Sequence, residues 1–236
     1  MKLHLLTFLF ILSSSFNLLA QSSNLIVAEK PSFPTNLYYD SLDTTPAIYK
    51  GIEHIYYSFR IEGDPYYFSE DMTDCEITYN DFVYDSIQSY YDIHKQLLII
   101  EHDKLSYDIA LEPRKISQFK IHGHVFENLY LDSLSGMVNG YYDKRVDGNV
   151  KFYVRREKEL RKEIENQAVR QWFVELNKYY ILKDGIYYRV RGKGSVLKVL
   201  YEHKKKLKAY IRTKRISFNT FPEDGIEKIV EYYNEL

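Results

Sequence analysis

A period of two runs through the middle of the chain. Leu105, Tyr107, Ile109 and Leu111 alternate with Ser106, Asp108 and Ala110, and Val150, Phe152 and Val154 alternate with Lys151, Tyr153 and Arg155. Successive side chains of a strand point to opposite faces, so each run predicts a strand with one buried face. Leu97-Leu98-Ile99-Ile100 is apolar at every position and predicts a central strand covered on both sides. Turn dipeptides separate the runs: Asn80-Asp81, His94-Lys95, Asp103-Lys104 and, as the better hairpin signal, Asp147-Gly148. Tyr180 and Leu182 find partners in Ile186, Tyr188 and Val190 across Lys183-Asp184-Gly185. Strand and turn recurring about every ten residues predict an antiparallel meander, as a curved sheet or partial barrel. Glu157 to Phe173 supports two readings. Leu160, Ile164, Ala168 and Trp172, four residues apart, describe a charged amphipathic helix; a hairpin turning near Asn166 fits the same length, and strands are preferred.

The carboxyl end changes period. Ser195 is placed to cap a helix that carries Val196, Val199, Leu200, His203, Leu207, Tyr210 and Ile211 on one side, with Lys204, Lys205, Lys208 and Arg212 mostly elsewhere. Pro222, Glu223 and Asp224 open a second helix with an Ile226, Ile229, Val230 and Tyr233 stripe. Strands followed by helices predict one α+β domain over 47–236, β-rich from 47 to 190 and helical from 195 to 236. No repeat of solenoid or propeller period is present.

Ahead of that domain, Lys2 precedes the apolar run Leu5 to Leu12, and small residues lead to Ala20. This is the pattern of a secretory signal peptide, 1–20, with cleavage expected after Ala20 and a periplasmic or secreted destination. The run is too short for a permanent membrane span, which needs about 20 apolar residues. Residues 21–46, with Pro31, Pro34 and Pro46, read as an extended lead-in. Cys75 is the only cysteine, which excludes an intramolecular disulfide in an oxidising compartment. Its neighbours Asp74 and Glu76 disfavour a thiolate, so an inert thiol is expected.

The formal charge of −1 conceals an asymmetry. Acids dominate Asp40 to Asp108, whereas Arg189 to Arg215 holds many Lys and Arg and one acid, Glu202. Partial neutralisation of one half by the other on folding is the plainest expectation. The 24 tyrosines include the pairs Tyr66-Tyr67, Tyr90-Tyr91, Tyr141-Tyr142, Tyr179-Tyr180 and Tyr187-Tyr188. In strands such pairs put one ring in the core and one outside. A stacking platform for sugars or peptides is the functional alternative.

Tyr49-Lys50-Gly51, Gly63-Asp64-Pro65-Tyr66-Tyr67-Phe68, Ile77-Thr78-Tyr79-Asn80, Tyr91-Asp92-Ile93 and Asp184-Gly185-Ile186-Tyr187-Tyr188-Arg189-Val190, followed by a Lys-rich helix and Tyr232-Tyr233, form a succession. In it the chain resembles a group of uncharacterised secreted proteins of Bacteroidota-type bacteria. The resemblance covers most of the mature chain, implies a Gram-negative envelope location and lends no activity.

Chemical motifs are few. Ser195-Val196-Leu197-Lys198 matches the Ser-x-x-Lys of penicillin-recognising enzymes, but the Lys-Thr-Gly and Ser-x-Asn elements that accompany it are missing. His122-Gly123-His124 puts two imidazoles on one face if extended, and His102 is the nearest third ligand for a metal. Glu70, Asp71, Asp74 and Glu76 lack calcium-loop spacing and read as a solvated acidic loop. Arg191-Gly192-Lys193-Gly194-Ser195 runs from a strand into a helix N-terminus, where free N–H groups attract anions. Lys204, Lys205 and Lys208 extend that positive segment. No catalytic set, cofactor or metal site emerges, and an exported protein has no nucleic acid to meet. The expected function is therefore a non-catalytic envelope binding or scaffolding protein. Its site is Arg191, Lys193, Ser195, Lys204, Lys205 and Lys208, and its partner a lipid phosphate, an acidic glycan or an acidic protein. The alternative is an unrecognised envelope hydrolase of glycan or peptide.

Overall fold

A computed structural model describes residues 46–130, 137–165, 168–219 and 222–236. The expected signal peptide, 1–20, and the lead-in up to Thr45 lie outside the described residues. The strands are β1 (Ile52–Glu53), β2 (Thr73–Tyr79), β3 (Phe82–Asp92), β4 (Leu97–Glu101), β5 (Asp108–Ala110), β6 (Ile116–Ile121), β7 (His124–Leu129), β8 (Gly140–Val146), β9 (Lys151–Arg155), β10 (Lys158–Glu165), β11 (Ala168–Glu175), β12 (Lys178–Lys183) and β13 (Ile186–Val190). The helices are α1 (Lys193–Val199), α2 (Lys204–Thr213) and α3 (Pro222–Asn234).

Eleven strands form one antiparallel sheet in the order β1-β5-β4-β3-β2-β6-β7-β8-β9-β12-β13. Two meanders, β2 to β5 and β6 to β13, join where β2 pairs with β6. Two-residue turns connect β2 to β3, β6 to β7 and β12 to β13. Their central residues are Asn80 and Asp81 (φ 49° and 66°), His122 and Gly123 (51° and 78°), and Asp184 and Gly185 (51° and 76°). Paired positive φ values match the twist of a tight hairpin, and Asn, Asp and Gly adopt them at least cost. Residues 157–173 take the hairpin alternative: β10 pairs with β11 as a separate two-stranded ribbon.

The sheet bends. Tyr91 on β3 has its ring 5.1 Å from Phe126 on β7 and 5.7 Å from Tyr141 on β8. In a flat sheet β3 and β8, four strands apart, would stand about 19 Å from each other. The bend encloses a cluster drawn from β2 to β8 with no residue from an α-helix, including Ile77, Tyr91, Leu98, Phe119 and Phe126. The sheet does not close, because β1 and β13 remain its two edges. Toward the β13 edge the helices cover the sheet instead, with Leu207, Ile211, Ile226 and Ile229 packed on Val146, Phe152 and Ile181. Each such side chain contributes about 1.5–3 kcal/mol by leaving water.

Four expectations need correction. The tyrosine pairs do point to opposite faces, but Tyr66-Tyr67, Tyr90-Tyr91 and Tyr141-Tyr142 are buried at both positions, because separate clusters cover each face there. The strand expected from Leu105 begins only at Asp108. The imidazole of His102 accepts the N–H groups of Lys104 and Leu105 at 3.0 and 3.2 Å and holds the preceding residues in a turn. The helix expected to start at Ser195 starts at Lys193 and breaks at Leu200, where a 3₁₀ turn over Tyr201–His203 sets Glu202 beside Lys183. The carboxyl end thus holds three α-helices rather than two. Finally, among the described residues no ion pair joins the basic segment Arg189 to Arg215 to the acidic half.

Candidate functional site

The strand-to-helix corner after β13 is closed by Ser195 from the third position of α1, with Gly192 as the flanking residue. Ser195 Oγ accepts the N–H groups of Arg191 and Gly192 at 2.9 and 3.2 Å and donates to Gly192 O at 2.8 Å. That hydroxyl is fully occupied, so Ser195 is a corner brace and neither an anion ligand nor the nucleophile of a Ser-x-x-Lys pair. Arg191 and Lys193 are exposed beside it.

α2 is amphipathic. Leu207 and Ile211 are buried, while Lys204, Lys205, Lys206, Lys208 and Arg212 are exposed. Every Lys and Arg from Arg189 to Arg215 is exposed, and none has a carboxylate partner among the described residues. Glu202 is taken by Lys183, 2.7 Å away. The charge also opposes the helix's own preferences. Three lysines occupy the first turn of α2 with no acid among them, at the end where the macrodipole is positive. Lys204 with Lys208, and Lys208 with Arg212, are like charges at i,i+4, each costing about 0.2–0.5 kcal/mol.

A second ionisable group was not legible as a site. It lies where α3 meets β8 and β9, around a cavity of about 310 Å³ lined by His124, Arg145, Arg156, Tyr67 and Glu223, among others. Asp143 is fully buried. Its Oδ2 accepts Arg156 Nε–H at 3.0 Å and lies 3.0 Å from His124 Nδ1. Arg156 donates to both oxygens of Glu223 at 2.6 Å, and Arg145 to both of Glu227 at 3.1 and 2.8 Å. Arg145 Nη1 is also 2.8 Å from His124 Nδ1, and that nitrogen cannot both donate to Asp143 and accept from Arg145. Asp143 shares a face of β8 with Tyr141, two residues away, and a charged residue at a core-facing strand position was the available signal.

A buried carboxylate against a histidine suggests acid–base chemistry, but the surroundings do not continue it. Among the described residues no Ser, Thr or Cys lines the cavity, and both guanidiniums are held by carboxylates of α3. The group fastens α3 to the sheet. Cys75 is likewise structural: it is buried, and burial pushes its thiol up to about 12. His122 and Gly123 form a turn, so the two imidazoles of 122–124 are not extended on one face. His102 is engaged with its own loop. Among the described residues no group of three or more His, Cys, Asp or Glu is arranged for a metal. The acidic stretch is a loop only in part: Glu70 and Asp71 precede β2, with Asp71 accepting the Ser69 hydroxyl at 2.9 Å, whereas Asp74 and Glu76 lie within the strand.

No family model, curated protein or solved structure matches this chain.

Proposed function

We propose that this protein is a secreted or periplasmic, non-catalytic component of the cell envelope that binds or scaffolds an anionic partner through the face carrying Arg191, Lys193, Lys204, Lys205 and Lys208. One observation carries the reading: a segment rich in exposed Lys and Arg, from Arg189 to Arg215, in which none has a carboxylate partner among the described residues. Helix α2 tolerates positive charge where its dipole and its i,i+4 spacing both oppose it, and a bound anion relieves both costs. Export follows from the amino-terminal segment and accords with the resemblance to secreted Bacteroidota-type proteins. No helix among the described residues is long and apolar enough to cross a membrane. Lipid phosphate, acidic glycan and acidic protein all fit the charge.

The test is retention of the full mature chain on vesicles of anionic envelope lipid, on acidic glycan and on envelope protein fractions, at low and high salt. Retention is expected at low ionic strength and is lost toward 1 M, where the Debye length has shrunk to about 3 Å. Changing Lys204, Lys205 and Lys208 to Glu together abolishes it. Retention on none of the three anionic surfaces, or retention indifferent to salt, refutes the reading.

A further inference from the structure

The basic segment ends in a cleft. A cavity of about 540 Å³ opens between the last turn of α2 and the first two turns of α3, and Tyr210, Lys214, Arg215, Ser217, Asp224 and Lys228 line it. Three cations thus face one carboxylate. None of the three is ion-paired among the described residues, although Asp224 and Lys228 stand four residues apart on α3, the spacing at which helical pairs form. A positive charge at the end of α2 suits the helix dipole and would explain Lys214 and Arg215 alone. Lys228, in the middle of α3, has no such reason.

The cleft is built from rigid parts. Lys214 N donates to Tyr210 O at 2.8 Å and Ile216 N to Ile211 O at 3.0 Å, while Arg215 adopts φ 53°, so the end of α2 is closed by its own backbone. Gly225 sets the other wall: a Cβ there would lie 2.8 Å from Ser217 O and 3.0 Å from the Phe218 ring. Only glycine lets the 215–218 segment lie so close against α3, and this approach brings Arg215 and Ser217 to the same cavity as Lys228. The Tyr210 ring is stacked on Tyr232 at 4.0 Å and 10°.

Apart from Asp224, the polar side chains of this lining are all donors: a guanidinium, two ammoniums and the hydroxyls of Tyr210 and Ser217. A planar carboxylate is satisfied by one guanidinium fork, whereas a tetrahedral phosphate offers oxygens in several directions and more negative charge. The volume lies in the range of small-molecule sites and exceeds what a bare phosphate fills. We infer that this cleft binds a phosphate ester, with Lys214, Arg215 and Lys228 on the phosphate oxygens and Tyr210 beside the organic group. The inference rests on the anionic-partner reading and locates its tightest contact in residues outside the 191–208 face.

The test is titration of the full mature chain with inorganic phosphate, glycerol 1-phosphate and phosphatidylglycerol vesicles at constant ionic strength. Saturable binding of glycerol 1-phosphate, displaced by inorganic phosphate and not by chloride, is expected. Vesicle binding in addition assigns the ester to a lipid headgroup; soluble ester alone assigns it to a free phosphate compound. Arg215→Gln with Lys228→Gln should weaken glycerol 1-phosphate at least tenfold, whereas Lys204→Gln with Lys205→Gln and Lys208→Gln, which removes more charge, should weaken it less than threefold. All five side chains are exposed, and an unchanged thermal melt confirms that the variants fold. Equal weakening by the two sets, or no saturable binding of the ester, overturns the cleft. If vesicles, acidic glycan or envelope protein are still retained in a salt-dependent way, the broader reading survives that failure; if none is, both fall.

Discussion

From Lys144 to Arg161 every Lys and Arg has a carboxylate partner; from Arg189 to Arg215 none does among the described residues. The two stretches use the same residue types for opposite ends, and burial separates them at Arg155 and Arg156, though not at half-exposed Arg161. Arg155 and Arg156 are each only 6% exposed, and a guanidinium so withdrawn from water requires a counter-charge because desolvation costs several kcal/mol per ion. The pairs then become fasteners, with Glu223 and Glu227, one turn apart on α3, held by Arg156 and Arg145. In the second stretch water solvates each cation, nothing forces a partner, and the charge stays available. The helices repeat the contrast. α3 opens with Glu223 and Asp224, as its dipole favours, whereas α2 opens with three lysines against it.

Asp143→Asn breaks the first side of this comparison most severely. It leaves the Arg156 guanidinium buried with Glu223 alone and takes the charge away from a fully buried position. The expected loss is about 3 kcal/mol or more, a large share of the 5–15 kcal/mol typical of a folded domain. Urea unfolding measures it as a lowered midpoint at unchanged slope. A loss under about 1 kcal/mol would mean that the buried pairs are incidental.

The paired stretch was far less legible in the sequence than the unpaired one. Lys204 to Lys208 shows as a run because adjacency along the chain is enough to see it. The Asp143, Arg156 and Glu223 group is assembled from β8, the residue after β9, and α3, up to 80 positions apart, and only the fold brings it together. Two-residue turns were legible at Asn80-Asp81 and Asp184-Gly185, where local chemistry sets them, but not at His122-Gly123. A curved sheet was expected, but not which strands its bend brings together, because that depends on aromatic contacts across four strands; the second buried ring of Tyr66-Tyr67, Tyr90-Tyr91 and Tyr141-Tyr142 was missed as well. Ser195 was placed at the right corner with the wrong geometry: as a cap its hydroxyl would accept N–H groups two or three residues into the helix, whereas from the third helical position it reaches back to the N–H groups of Arg191 and Gly192.

Acid sharpens the comparison at its exposed margin. Asp147 lies between Lys144 and Lys151, and their hydrogen bonds hold its carboxyl down at about 2. Its folded-state value lies below the unfolded one of about 3.9, so the stabilisation is present above pH 4 and is lost as pH falls through 4 toward 2. The side chain is half exposed, which confines the effect to about 0.2–1 kcal/mol. Wild type and Asp147→Asn should differ by that amount at pH 6 and converge near pH 2. A difference that persists at pH 2 would show that packing, not charge, is what the substitution disturbs.

The smallest expected effect decides whether the second stretch is as free as its geometry indicates. Changing Lys204, Lys205 and Lys208 to Glu together reverses charge at three exposed positions that touch no carboxylate among the described residues. The unfolding free energy should therefore move by no more than about 0.5 kcal/mol per site. The sign is informative as well. Acids in the first turn of α2 suit its dipole, and the Lys204–Lys208 repulsion is exchanged for an equal Glu–Glu repulsion, so a slight stabilisation is the expected direction. If the triple variant instead unfolds, the lysines are docked on the acidic half and their charge is structural, like that of Arg145 and Arg156. A variant that keeps its melt while losing salt-dependent retention on anionic surfaces establishes that α2 holds its charge for a partner outside the chain.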